Sequence, residues 1–230
     1  MTFAPNLSPK PMKPLRPAAP LAGTLVACTT VLLAFMLATF ALTGRLEHWT
    51  FEDKRRDDAQ QGHLVAPTIV VRTAQGSQQT LWSKTTDSHG VSLVNFIYTS
   101  CPTVCQALGA EYTQMQQALA TQNATARSPI QLVSLSFDIE RDGPTQLAAY
   151  AELHRADLNA WTIAAPLTRA DTRKLLRALG VVVIPDGMGG YVHNGAIHLL
   201  NASGTVLAIY DDADWKPALA MAQRLSQATR

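Results

Sequence analysis

Cys101 and Cys105 are the two residues of this 230-residue chain whose type and spacing most directly offer chemistry. They belong to the segment Thr99-Ser100-Cys101-Pro102-Thr103-Val104-Cys105. A compact apolar run from Leu93 to Thr99 precedes the pair, and Leu108, Tyr112, Met115 and Leu119 follow it at three- and four-residue steps. That pattern predicts a buried strand turning into a helix over about Cys105 to Leu119. A helix N-terminus presents free N–H groups and partial positive charge, so it favours thiolates over thiols. Pro102 suits the first turn, where its missing N–H costs nothing. Cysteines four apart on a helical turn project to one face. They can close a disulfide or grip one soft metal ion, and the bland alternative is a plain structural disulfide or two buried thiols.

Residue types narrow the metal. Zinc takes four ligands in a structural site, and the chain has no second cysteine pair. Copper(I) accepts soft thiolates at low coordination number, so one imidazole would complete a site. Six histidines could supply it: His48, His63, His89, His154, His193 and His198. His89 and His154 lie in polar surroundings. His193 and His198 are five apart and face opposite sides if both lie on one strand, so they are not expected to share a metal. Spacing alone does not choose among the six. A redox pair of the thioredoxin type has two residues between its cysteines, and here there are three.

The elements that must position these residues alternate. Ile130 to Phe137 reads as a strand, and Pro144 opens a helix carrying Leu147, Tyr150 and Leu153. Thr168 to Leu179 reads as a helix capped by Gly180, followed by a β-branched run from Val181 to Ile184. Ala196 to Leu200 and Val206 to Tyr210 flank Asn201-Ala202-Ser203-Gly204 as a hairpin, and a last helix covers about Trp215 to Gln227. This order predicts an α/β thioredoxin-like fold, a central mixed sheet flanked by helices, over residues 65–230. Asp138, Glu140, Arg141 and Asp142 fall between a strand and a helix, where acids and arginine commonly cap and pair.

The N-terminal part is built differently. Residues 1–20 hold six of the thirteen prolines and predict a disordered arm. The 23 residues from Leu21 to Thr43 carry no charge, and as a helix they span roughly 35 Å, enough to cross a bilayer. Residues 21–44 therefore read as a transmembrane helix. A cleavable signal peptide has a shorter apolar region, of about 7–15 residues. Leu25-Val26-Ala27-Cys28 resembles a lipobox, yet most of the apolar run follows Cys28, which reads as an inert thiol. Residues 45–64, with the cluster Glu52-Asp53-Lys54-Arg55-Arg56-Asp57-Asp58, read as a solvated polar stalk.

The formal charge of +2 is set by the arm. Lys10, Lys13 and Arg16 are the only charges in residues 1–44, which leaves 16 basic against 17 acidic residues beyond Gly44. The folded part has no cationic excess for a polyanion, so no nucleic-acid partner is expected.

Three motifs occur in order: Asn95-Phe96-Ile97-Tyr98-Thr99-Ser100-Cys101-Pro102-Thr103-Val104-Cys105, then Ser136-Phe137-Asp138-Ile139-Glu140-Arg141-Asp142-Gly143-Pro144, then His193 with Gly204 eleven residues later. Together they resemble the Sco/SenC family of copper proteins, which serve the assembly of cytochrome c oxidase. Trp161 and the Leu167 to Gly180 helix also fall where that family has counterparts. The family usually has an Asp before the ligand histidine and a Ser or Thr after it, where this chain has Val192 and Asn194. Gln106 stands where a proline often follows the second cysteine.

The resemblance implies a copper ion, Cu(I) or Cu(II), one per chain, held by Cys101, Cys105 and His193. It implies that the same cysteines can cycle between dithiol and disulfide, with copper binding only the reduced form. The implied partners are cytochrome c oxidase subunit II, with its binuclear copper site, or its assembly factors, and another protein as copper donor. The implied location is the bacterial inner membrane, with the soluble domain in the periplasm. The competing expectation is a metal-independent thiol–disulfide oxidoreductase of the envelope, for which His193 would be dispensable.

Overall fold

The computed structural model describes residues 21–43, 50–83, 90–101, 104–122 and 129–228, without the side chains at 104, 105, 122 and 228. The expected arm, Pro102, His48 and His89 lie outside the described residues. The chain divides into two compact units, residues 1–50 and 51–230.

In the first unit, helix α1 spans Leu21–Leu42 and is exposed along its length. By length and composition it could cross a membrane. The hydroxyls of Thr29, Thr30 and Thr39 donate to the carbonyls of Leu25, Val26 and Phe35, four residues back, which removes the polar groups that hydrocarbon would leave unsatisfied.

The second unit opens with helix α2, Phe51–Gln60. The polar segment expected to be a solvated stalk is thus partly a packed helix. Arg55 and Ala59 are buried, and α2 lies against a strand near the C-terminus. After it come β1 (Ile69–Thr73), β2 (Gln78–Leu81), β3 (Val91–Ile97), α3 (Val104–Gln122), β4 (Ile130–Ser136) and α4 (Pro144–Leu153). Next are β5 (Trp161–Pro166), α5 (Arg169–Ala178), β6 (Val183–Pro185), β7 (Tyr191–His193), β8 (Ile197–Asn201), β9 (Val206–Tyr210) and α6 (Trp215–Ala228).

Among the described residues, seven strands form one sheet in the order β2-β1-β5-β4-β3-β8-β9, while β6 and β7 pair only with each other. The β3–β4 and β4–β5 pairs are parallel, joined through α3 and α4, and the β1–β5, β3–β8 and β8–β9 pairs are antiparallel. Every residue of β5, and all but one each of β3 and β4, is buried, as expected when helices cover both faces of a central sheet. Helix α6 lies across β3, β4 and β8, and α4 across β5 and β1. This is a thioredoxin-like arrangement.

Trp161, Tyr112, Leu93, Ile97 and Leu132 are among the largest fully buried side chains, and each such aliphatic contributes about 1.5–3 kcal/mol by leaving water. Trp161 Nε1 donates to Ser134 Oγ at 3.0 Å, which satisfies the one polar atom of that ring. The close approach of α3 to α4 depends on Gly109, where a Cβ would stand 2.4 Å from the His154 ring. His154, expected in polar surroundings, is buried against Tyr150 and Trp161, and burial lowers its pKa.

Candidate metal centre

The chemistry gathers at the C-terminal ends of β3 and β4. Beyond Ile97 the chain turns, and the Cys101 N–H donates to the Tyr98 carbonyl at 3.2 Å. One buried carboxylate holds this exit. Asp142 accepts from Thr99 N at 2.8 Å, Thr99 Oγ1 at 2.6 Å and Ser136 Oγ at 2.5 Å, so it fastens the ends of β3 and β4 together. Hydrogen bonds to a charged acceptor each contribute about 1.5–3 kcal/mol, which makes this a firm support for the turn. Cys101 is buried at the end of that turn, and Gln106 Nε2 donates to its carbonyl at 3.4 Å. The backbone of Cys105 lies in the first turn of α3, where peptide dipoles favour a thiolate. Its side chain falls outside the described residues.

His193 ends β7, on the two-stranded sheet. Its ring meets Phe137, the residue after β4, edge-on at 5.3 Å between centroids. Tyr191 packs on Phe137 at 5.3 Å and on Tyr98 at 5.2 Å, on the same face of β7 as His193. The hairpin is pinned at its tip and at its base. At the tip, Arg141 pairs with Asp138, stacks over the Tyr191 ring and donates from Nη1 to the Gly189 carbonyl at 2.5 Å. At the base, Asn194 accepts from Val182 N at 2.6 Å and donates to the Gly180 carbonyl at 3.0 Å. Asp138, Arg141 and Asp142 are thus fasteners of the two segments, as their position between strand and helix suggested.

His193 Nδ1 is buried and has no hydrogen-bond partner among the described residues. Burial pushes its pKa down, so the ring is neutral at neutral pH, the form a metal requires. A buried thiol and a neutral imidazole with an open nitrogen are a fitting donor set for copper. Among the described residues, however, no three His, Cys, Asp or Glu side chains cluster at metal-binding range.

The remaining histidines have other surroundings. His63 is exposed beside Asp58. His198 is fully buried on β8, where Arg55 Nη1 approaches its Nε2 at 3.0 Å. Sequence reasoning missed Arg55 because its partners are far away in the chain: Leu179 O at 3.3 Å, His198, and only Glu52 nearby.

The SCO1/SenC family model matches residues 77–230. The chain belongs to the SCO1/SenC family. A curated relative, the SCO1 protein homolog of Bacillus subtilis, is 27% identical over 129 residues, which is 55% of this chain. The matched region spans 65% of that relative, less than two thirds of its length. The fold agrees with a SCO1/SenC family lipoprotein from Bacillus anthracis, with a TM-score of 0.60 and 22% identity over 73% of this chain and 96% of that one. It also agrees with the copper-bound ScoI of Bradyrhizobium japonicum, with a TM-score of 0.55 and 20% identity over 70% and 99%.

Proposed function

We propose that this SCO1/SenC protein carries one copper ion on the thiolates of Cys101 and Cys105 and the imidazole of His193, for the assembly of cytochrome c oxidase. The observation that supports this most directly is His193, whose neutral ring lies on Phe137 at the sheet end where Cys101 emerges, with its Nδ1 open. The copper-bound ScoI relative and a Sco family described as cytochrome c oxidase assembly proteins agree with it. The metal is cargo, and its destination is the binuclear copper site of oxidase subunit II, reached from a separate copper-donor protein. Helix α1 anchors the chain in the bacterial inner membrane, with residues 51–230 in the periplasm.

The same cysteines have a second use. As a dithiol, Cys101 and Cys105 can pass two electrons and two protons to a disulfide on the target and become a disulfide themselves. A relative described as having a disulfide switch favours this chemistry beside metal transfer.

The test uses the full chain in detergent, reduced without oxygen and titrated with copper. One tightly held copper per chain, with a thiolate-to-copper(II) absorption that His193→Ala removes or alters, is the expected result. If copper is held equally well without His193, the three-ligand site is wrong. If no copper is held but the dithiol exchanges with disulfide substrates, the metal-independent oxidoreductase stands instead.

A further inference from the structure

The sheet carrying His193 is separate from the sheet leading to Cys101, so something must hold the two in register. The β6–β7 ladder shows where. Asp186 N donates to Gly190 O at 3.1 Å and Asn194 N to Val182 O at 3.3 Å, so residues 186/190 and 182/194 are hydrogen-bonded pairs. Pairs alternate along an antiparallel ladder. Pro185 and Tyr191, which lie opposite each other, therefore form a non-hydrogen-bonded pair. The N–H and C=O of Tyr191 point away from β6, along the free edge of β7.

Both groups are met by one atom. The Tyr98 hydroxyl accepts from Tyr191 N and donates to Tyr191 O, each at 3.3 Å. A phenol has one hydrogen to give and lone pairs to receive with, so both bonds can exist together. It acts as a one-atom neighbouring strand. The backbone of the same residue accepts the Cys101 N–H, while Tyr191 is two residues from His193 on the same face. One residue thus ties the thiol turn and the imidazole hairpin.

We propose that Tyr98 is the positioning residue of this site, fixing where His193 stands relative to Cys101. The proposal rests on the copper reading for its metal readout but not for its structural one.

The test compares the full chain in detergent with Tyr98→Phe, which keeps the ring packing and removes only the hydroxyl. Tyr112→Phe is the control, because its fully buried hydroxyl has no partner among the described residues and lies on α3 against Trp161. Two readouts are taken. In metal-free reduced protein, the His193 ring should give one set of nitrogen-detected resonances in the wild type and in Tyr112→Phe. In Tyr98→Phe it should give several sets or a broadened one. In the copper form, Tyr98→Phe should shift the thiolate-to-copper(II) band and release copper(I) to a chelator about tenfold faster, the low end of what loss of an outer support costs a metal site. If the wild type holds no copper while the ring resonances still respond only to Tyr98→Phe, the copper reading fails and the positioning role stands. If Tyr98→Phe matches the wild type in ring resonances and in any copper signal, or merely matches Tyr112→Phe, the positioning role is overturned.

Discussion

His198 and His193 are five residues apart and the fold has used them in opposite ways. His198 lies in the main sheet, wholly buried, with Arg55 Nη1 at its Nε2. Because the guanidinium can only donate, Nε2 is the acceptor and the ring is the neutral form with its proton on Nδ1. Burial first, and the Arg55 charge second, hold its pKa down to about 3. His193 stands on a separate two-stranded ladder, half-buried, with rings around it and an open Nδ1. Nδ1 of each ring is buried without a partner among the described residues, so the contrast lies at the other nitrogen, which in His198 is held by Arg55 and in His193 meets no cation among those residues. The corner around His198 should therefore govern stability, and the hairpin around His193 should govern ligand chemistry.

Arg55→Ala is the hardest blow to the fastened side. It takes away a 2%-exposed guanidinium that donates to Glu52, the Leu179 carbonyl and His198, leaving the last two buried without a donor. A loss of about 3 kcal/mol is expected in denaturant unfolding. An unchanged midpoint would show that α2 is not part of the folded unit.

Acid unfolding sharpens the same contrast. The unfolded chain protonates its histidines near pH 6.5, whereas folded His198 refuses the proton until about pH 3. The unfolded state thus binds more protons within that window, and stability falls as the pH drops through it, by about 1.4 kcal/mol per pH unit from this group alone. His198→Asn should flatten the slope between pH 6 and 4 by that amount. His193→Asn should flatten it less, since its pKa is lowered by burial alone. Equal slopes would erase the distinction between the two rings.

Gly180 tests how closely the corner is packed. Its φ is +64°, and a Cβ there would stand 2.7 Å from Arg55 Cδ. Gly180→Ala should cost about 1–2 kcal/mol, from a left-handed backbone and a displaced Arg55. In the Arg55→Ala background the steric part should vanish, which a double-mutant cycle measures.

Much of this was legible in sequence because it is local. The Leu93 to Thr99 run and the three- and four-residue spacing after Cys105 foretold β3 and α3, since burial on both faces leaves a continuous apolar run and a helical stripe leaves a periodic one. Gly180 and Pro144 marked a helix end and a helix start for backbone reasons. The docking of α2 left no such trace. Seven consecutive charged residues, Glu52 to Asp58, read as solvated, and it is partners far along the chain, Leu179 and His198, that turn Arg55 inward. The short strands β1 and β2 went unplaced, although the alternation of Ile69, Val71 and Thr73 was there to be found. Among the candidate ligands, Cys101 and Cys105 announced themselves by spacing. His193 was singled out only through resemblance, because what distinguishes it from His198 is tertiary: which sheet it joins and whether Arg55 stands at its Nε2.

The smallest expected effect decides most. His193→Ala removes a half-buried ring whose described contact is edge-on packing against Phe137, an interaction of about 0.5–1.5 kcal/mol. Its open Nδ1 means that no hydrogen bond at that atom is broken among the described residues. The domain should therefore unfold within about 1 kcal/mol of the wild type, while His198→Ala, which strands Arg55 in a buried corner, should cost two to three times as much. Copper retention should fall in the reverse order, lost in His193→Ala and kept in His198→Ala. A His193→Ala protein that unfolds as readily as His198→Ala would make both imidazoles fastenings, and the open nitrogen would then be a packing detail rather than a ligand.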